Sequence, residues 1–292
     1  MMQKIGIVTD SHSSLTPAVA NRLGVHVLPM PFTIDGADYL EGVNLTREAF
    51  FAHQRAGADI GTSQPAPADV LALWDQLLTE YEALLYMPIS SGLSGSCQTA
   101  MALAEDEPYL NRVFVVDNGR IATPLHRSIL DALELIEKGF TAVQCKAALE
   151  TARDQLTIYI AVETLEHLRK GGRISGATAA VGTLLNIKPI LQLTTGKLES
   201  YKRARGMQKA REMMLETIRS DLAIRFQEAH HRGDVSLLAA GSADAETTAK
   251  WLQQIEAAFP GMPILYDDLS LGVSCHTGEG ALGVGLSVRP KV

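Results

Sequence analysis

Short β-branched apolar runs alternate with longer amphipathic segments along most of the chain, a pattern typical of α/β folds. In the first half, strands are predicted at residues 5–9, 25–34, 83–89 and 113–117, and helices near 17–23, 47–56, 68–81, 96–104, 125–138 and 142–155. This alternation favours a doubly wound parallel sheet.

The second half of the chain has a different pattern. Strands are predicted at residues 158–162, 188–193, 198–204, 235–240 and 282–288 and near Ile264, with helices near 165–170, 207–228 and 245–259. A segment of small residues extends through Ala180, and Thr195-Gly196 separates two strands as in a β-hairpin. The pattern predicts a mixed sheet with helices on one side. We therefore expect two α/β domains, over residues 1–155 and 156–292.

The composition narrows the class of protein. The 292 residues are 46% hydrophobic and 5% aromatic with a net charge of -7, which argues against a dedicated nucleic-acid binder. No apolar stretch is long enough to cross a membrane, and the run Ile5 to Val8 is too short for a signal peptide. Cys97, Cys145 and Cys275 form no CxxC, as expected for reduced thiols. We expect a cytoplasmic protein without stable membrane insertion.

Three polar loops are predicted where strands hand over to helices: residues 9–14 (TDSHSS), 61–67 (GTSQPAP) and 88–96 (PISSGLSGS). Ligands of open α/β sheets bind at this edge. In the third loop Gly92 and Gly95 allow close backbone approach, and its serines supply hydroxyls at a helix N-terminus, an arrangement suited to a phosphate or carboxylate. Helix and turn capping is the alternative interpretation of these serines and of Thr62 and Ser63.

Other signals are weaker. The sequence around Ser94 departs from the G-x-S-x-G elbow, and a triad of Ser94, His276 and Asp10 or Asp117 would have an unusual order, which disfavours hydrolysis. The glycines of HTGEGALG match GxGxxG, but too few residues follow for a dinucleotide-binding unit. They more simply allow close approach to another backbone or a ligand, leaving His276 presented there. No histidine spacing indicates a metal, and we predict none.

Positive charge is concentrated in one region. Residues 197–211 contain six basic residues and one acid, a local charge of +5 in a chain of -7. Arg169, Lys170 and Arg173 add a second basic group. Such asymmetry favours a partner that presents phosphates or acidic side chains, against the alternative of a solvated face.

Taken in order, these segments resemble the DegV family of bacterial fatty-acid-binding proteins. The motifs that match are TDS at 9–11, TSQP at 62–65, ISSGLSGS at 89–96, LEHLRKGGRIS at 165–175, LLNIKPIL at 184–191, the basic segment 202–205 and HTGEGALG at 276–283. The resemblance implies an N-terminal Rossmann-like domain with a parallel sheet and a C-terminal mixed-sheet α/β domain, with the ligand between them.

The resemblance also implies roles for individual residues. The carboxylate head of a long-chain fatty acid would be bound by Thr62, Ser94 and His276, with Ser63, Ser91, Gly92 and Gly95 as supporting loop residues. Arg173, Arg203 and Arg205 would contact the partner or the transferring phosphate. The family members are carriers, not enzymes, and present the acid to a separate ATP-dependent fatty acid kinase that makes acyl phosphate for phospholipid synthesis. No cofactor is implied.

One segment departs from the family pattern. After Asp117, residues Ala122, Pro124 and His126 stand where the family usually has a Ser and two Gly, which predicts a reshaped tail pocket. Two other functions stay open from the residues alone. The chain could transfer phosphoryl or acyl groups itself, or it could bind another small carboxylate.

Overall fold

The computed structural model describes residues 3–174, 186–194 and 196–291. The small-residue segment through Ala180, the Leu184-Leu185 start of LLNIKPIL and Thr195 of the predicted hairpin turn lie outside the described residues, as does Ser175. By its internal contacts the chain divides into two compact units. Unit 1 comprises Met1–Asp154, Ser270–Gly272 and Pro290–Val292, and unit 2 comprises Gln155–Leu269 and Val273–Arg289.

Unit 1 contains two sheets and six helices among its described residues. Its strands are β1 (Ile5–Asp10), β2 (Val25–Leu28), β3 (Pro31–Ile34), β4 (Ala37–Leu40), β5 (Ile60–Thr62), β6 (Ala83–Met87) and β7 (Val113–Val115). Its helices are α1 (Pro17–Leu23), α2 (Arg47–Arg55), α3 (Pro67–Leu77), α4 (Ser96–Ala104), α5 (Ala122–Glu137) and α6 (Ala142–Thr151), with a 3-10 turn at Ser11–Ser13.

The main sheet of unit 1 is parallel, in the order β2-β1-β6-β7. All five residues of β6 are buried, and they alternate between two cores. Leu84 and Tyr86 pack in one core with residues of α3 and α4, and Leu85 and Met87 pack in the other with residues of α5 and α6. Helices therefore cover both faces, and the predicted doubly wound parallel sheet is confirmed.

The prediction of one strand over residues 25–34 is wrong. Pro29 and Pro31 interrupt it, because proline cannot donate to a sheet ladder, and β2 and β3 belong to different sheets. The strand β3 pairs with β4 and β5 in a small antiparallel sheet that the sequence analysis missed. As a result the GTSQP loop follows β5 of this small sheet, not a strand of the parallel sheet.

Unit 2 is built on one mixed sheet, as predicted. Its strands are β8 (Leu156–Ala161), β9 (Ile187–Thr194), β10 (Lys197–Arg205), β11 (Val235–Gly241), β12 (Ile264–Asp268) and β13 (Leu282–Val288), in the order β10-β9-β8-β13-β11-β12. The pair β11 and β12 is parallel and the other pairs are antiparallel. The helices are α7 (Glu166–Lys170), α8 (Met207–Ala223), α9 (Gln227–His231), α10 (Ala245–Ala258) and α11 (Leu271–Thr277), the last of which begins with two residues of unit 1.

One helix prediction is wrong, and one helix was not predicted. The predicted helix over 207–228 is α8 followed by α9, because the chain turns to bury Phe226, whose amide donates to the carbonyl of Asp221 rather than continuing the helix. The helix α11, which carries His276, was not among the predicted helices. None of the helices in the described ranges is long and apolar enough to cross a membrane.

Candidate ligand-binding site

In unit 1, the loops after β1, β6 and β7 are polar, and these three strands are neighbours in the parallel sheet. The loops follow the carboxyl ends of the strands, so they share one edge of the sheet. Their buried polar residues include Asp10, Ser13, Ser90, Asn118 and Arg120, each no more than 1% exposed. Buried polar groups require hydrogen-bond partners, which makes this edge of the sheet a candidate ligand-binding site.

Two carboxylates hold the SSGLSGS loop from opposite sides. Asp10 accepts the backbone amides of His12 at 3.0 Å and Ile89 at 2.8 Å, which joins the loop after β1 to the loop after β6. Asp117 accepts the Ser91 hydroxyl at 2.5 Å and the Ser91 amide at 3.3 Å, which joins the loop after β7 to the loop after β6. Asp10 and Asp117, considered above as partners of a catalytic histidine, therefore hold the backbone of these loops.

The Asp117 carboxylate is charged and compensated within unit 1. Burial raises the pKa of Asp117, but the hydrogen bonds from Ser91 and the Arg153 guanidinium at 3.0 Å outweigh it and hold this pKa below its usual value. The Ser91 hydroxyl hydrogen thus points to Asp117. Through these two hydrogen bonds, Ser91 attaches the SSGLSGS loop to Asp117.

Ser94 sits at the start of α4. Its Oγ accepts the Ser96 amide at 3.2 Å, and its own amide donates to the Ser90 carbonyl at 3.1 Å. The Ser94 oxygen therefore caps an amide at the start of α4, as the alternative interpretation of these serines predicts. The Ser94 residue is half-buried.

The TSQP loop adjoins the SSGLSGS loop through Gln64. The Gln64 Oε1 accepts the Thr99 hydroxyl of α4 at 3.2 Å and lies 3.3 Å from where a Cβ would stand on Gly95. Thr62 ends β5 and is half-buried. Within unit 1, Gln64 and Gly95, which are 31 residues apart in sequence, thus meet at the N-terminus of α4.

The capping alternative for Thr62 and Ser63 is wrong. The helix α3 begins at Pro67 with Ala66 at its N-cap, and no side chain in the described part of the chain caps it. Proline at the first helical position removes one amide that would otherwise need a partner. The hydroxyls of Thr62 and Ser63 therefore have a role other than starting this helix.

In unit 2, His276 and Arg173 meet at one residue, Gly171. A Cβ on Gly171 would stand 2.1 Å from the His276 Nδ1, so the imidazole lies directly against the Gly171 backbone. Arg173 Nη1 donates to the Gly171 carbonyl at 2.6 Å. The neighbouring Gly172 has φ of +69°, where other residues are strained. LRKGGRIS therefore has glycine at 171 because His276 leaves no room for a side chain, and glycine at 172 because of its positive φ.

Arg203 and Arg205 lie at the end of the six-stranded sheet where the turn after α11 leads into β13. Arg203 and Arg205 are exposed on β10, an edge strand whose end pairs with the start of β9. Beside them Lys188 forms an ion pair with Glu163, and Glu163 contacts Gly280 of the HTGEG turn. In unit 2, Arg203, Arg205 and the turn that follows His276 thus lie at the same end of the sheet.

The segment that departs from the family pattern forms the buried start of α5. Ala122, Pro124 and His126 are all buried, and Ala122 has φ of +52°. Just before them, Arg120 donates to the Ala152 carbonyl at 3.3 Å, and burial lowers its pKa to about 10. The predicted effect of these residues on a tail pocket stays a prediction.

The fold is that of a two-unit α/β protein with polar loops at one edge of the parallel sheet of unit 1. The family model described as "Uncharacterised protein, DegV family" matches residues 4–289. A DegV domain-containing protein of Deinococcus radiodurans is 35% identical over 285 residues, covering 97% of this chain and 98% of that protein. The chain belongs to the DegV family.

Solved structures agree with this assignment. A DegV family protein from Thermus thermophilus, described for its fatty acid binding, is 36% identical with a TM-score of 0.86, covering 98% of this chain and 99% of that one. A fatty acid binding DegV family protein from Streptococcus agalactiae is 28% identical with a TM-score of 0.85, over 99% and 100% of the two chains.

Proposed function

We propose that this protein binds a long-chain fatty acid and presents its carboxylate to a separate ATP-dependent kinase, which forms the acyl phosphate. The observation that supports this most is the match over nearly the whole chain to the Thermus thermophilus protein described as fatty acid binding. Gln64, two residues after Thr62, contacts the first turn of α4 next to Ser94, which gives the proposal a chemical basis in this chain. The protein acts as a carrier, and the kinase supplies the catalysis.

The proposed head-group ligands are Thr62, Ser94 and His276. Hydroxyl and imidazole donors stabilise a carboxylate that would be costly to bury alone, without the net positive charge of a lysine or arginine. The Ser94 hydrogen suits this role because its oxygen already accepts the Ser96 amide. Burial of the acyl tail would add about 0.8 kcal/mol per CH₂, before the cost of ordering the chain.

The kinase would recognise the basic side of the protein. Arg203 and Arg205 are exposed on an edge strand, where they are accessible to an acidic surface or to the γ-phosphate of ATP held by a partner. Arg173 is half-buried and close to His276 through Gly171. In this proposal Arg173 lies between the carboxylate and the incoming phosphate.

The head-group assignment is tested by native mass spectrometry of the purified protein, followed by solvent extraction. The wild type should retain one fatty acid per chain, and the double variant Thr62→Ala/Ser94→Ala should be empty while its circular dichroism spectrum is unchanged. Thr79→Ala is the matched control, since its exposed hydroxyl donates to a carbonyl at the end of α3. Wild-type occupancy in the double variant would refute the head-group assignment.

The partner assignment needs a separate experiment. The variant Arg203→Glu/Arg205→Glu should keep its fatty acid but should no longer support acyl phosphate formation by a fatty acid kinase with ATP. Turnover of ATP by the purified protein alone would instead favour a phosphoryl-transfer enzyme. Failure of the wild type to take up any long-chain acid, with uptake of a short one, would favour a binder of another small carboxylate.

A further inference from the structure

Helix α7 and the end of α11 interlock through two pairs of a histidine and a glycine. The His276 ring of α11 lies against Gly171, which follows α7, with Nδ1 at 2.1 Å and Cε1 at 2.5 Å from the position of a Cβ. Conversely, the His167 ring of α7 lies against Gly278, with Cδ2 at 2.8 Å from the position of a Cβ. Each ring thus occupies the space that a side chain would fill on the opposite segment.

We propose that Gly171 and His167 are positioning residues that fix the His276 imidazole for ligand binding. The proposal rests on the proposed function, in which His276 contacts the fatty-acid carboxylate. Gly171 sets how closely the ring approaches the end of α7. His167 holds the turn that follows the ring, because its imidazole packs on Gly278, which has φ of +77°.

Hydrogen bonds hold the backbone at Gly171 and Gly278. Movement of either histidine ring would therefore require breaking some of them. The Gly171 amide donates to the His167 carbonyl at 2.9 Å, and the Gly171 carbonyl accepts Arg173 at 2.6 Å. On the other side, the Ser242 hydroxyl donates to the Gly278 carbonyl at 2.6 Å. A rigid support of this kind is what precise placement of a binding side chain requires.

Burial and charge are consistent with a packing role for His167. Burial lowers the pKa of His167, while Glu166 raises it and Lys170 lowers it, with a net decrease. The ring is therefore neutral at neutral pH and can lie against backbone without the cost of a buried charge. In α11, His276 is half-buried, whereas the residues on both sides of it are buried.

The test is the NMR titration of the His276 side chain in ligand-free protein, together with fatty-acid affinity. Gly171→Ala and His167→Ala should each shift the His276 Cε1–H signal and its titration midpoint. Each should weaken binding about tenfold, since one hydrogen bond to a charged group is disturbed. His167→Phe should restore both, because a flat ring is retained. Arg169→Ala, an exposed change on the same helix, is the control.

A double-mutant cycle separates this proposal from the proposed function. If Gly171 acts through His276, Gly171→Ala should add little to the loss of affinity already caused by His276→Ala. An equal loss with and without His276, or an unmoved His276 signal in both α7 variants, would overturn the positioning role. Unchanged affinity in His276→Ala alone would refute the head-group assignment, whereas the NMR result would still decide whether α7 positions the ring.

Discussion

Ser91 gives Asp117 two hydrogen bonds, from its hydroxyl at 2.5 Å and from its amide at 3.3 Å. A single carboxylate therefore fixes both the side chain and the backbone of one loop residue. The Arg153 guanidinium binds the same carboxylate at 3.0 Å, so the negative charge is compensated before any ligand arrives. In the proposed function this compensation matters, because an uncompensated carboxylate beside the loop would repel the carboxylate of a fatty acid.

Asp117→Asn should destabilise the protein at neutral pH by about 1.5–3 kcal/mol, the range for hydrogen bonds to a charged group. Because the folded-state pKa of Asp117 lies below its usual 3.8, the stabilisation is complete above that pH and is lost as the pH falls through the folded-state value. Urea unfolding of both proteins across this range measures the difference. A difference that stays constant in acid would contradict the pairing.

Glu41 should give the opposite pH dependence. It accepts the Ser11 hydroxyl at 2.8 Å and the backbone amides of Leu271 and Gly272. Burial raises the pKa of Glu41 above its usual 4.5, although His12, Ser11 and the two amides lower it. The folded state then binds a proton more readily than the unfolded state.

The contribution of Glu41 to stability should therefore decrease as the pH rises from 4.5 through its raised folded-state pKa. Glu41→Gln removes this titration while it keeps an acceptor for the amides. The free energy of unfolding of the wild type minus that of Glu41→Gln, followed by urea denaturation, should fall with pH in this window. A difference that rises with pH would show that the ionised form is the favoured one.

Two glycines of the strand β13 should respond very differently to alanine. A Cβ on Gly285 would stand 2.1 Å from Ile158 Cδ1 and 2.3 Å from the Thr157 carbonyl oxygen, whereas a Cβ on Gly283 would meet its nearest atoms at 3.6 Å. Gly285→Ala should cost about 1–3 kcal/mol or more through overpacking. Gly283→Ala should stay within about 1 kcal/mol of the wild type. Thermal unfolding of the two variants tests this, and similar melting temperatures would contradict it.

Two of the thiols should be inert in the folded protein. Burial raises the pKa of the Cys97 thiol to about 12 and that of Cys145 to about 11, and both side chains are fully buried. Little thiolate exists at neutral pH, and the reagent cannot reach it. Iodoacetamide should therefore label these residues in urea but not in native buffer, as peptide mass spectrometry would record. Native labelling at either residue would indicate local opening.

The missed hairpin had a readable signal in the sequence. Asp35-Gly36 lies between two short apolar runs, and both residues have positive φ, 48° and 81°, as a type I′ turn requires. β-branched residues lie on both sides of Pro29 and Pro31, so the hydrophobic pattern alone predicts one strand over residues 25–34. The two prolines are the signal that separates β2 from β3 and so indicates the small sheet.

The helix α11 could not have been predicted from local pattern. Its sequence, LGVSCHT, is short and contains Gly, Ser, Val and Thr, which are poor helix formers. The Leu271 and Gly272 amides are accepted by Glu41, more than 200 residues earlier in the chain. Such a contact depends on tertiary structure. By contrast, the glycine-rich motifs around Ser94, Arg173 and His276 are visible in the sequence, and the binding roles of these residues stay predictions.

The strand β13 has a consequence for how the protein is made. It lies between β8 and β11 in the sheet of unit 2, although it follows both in the chain. While the ribosome is still translating, β8 and β11 each present an unpaired edge that only a later segment can fill. Completion of unit 2 must therefore await synthesis through Val288. A nascent chain arrested before this point would expose apolar strand edges and be a substrate for chaperones or proteases.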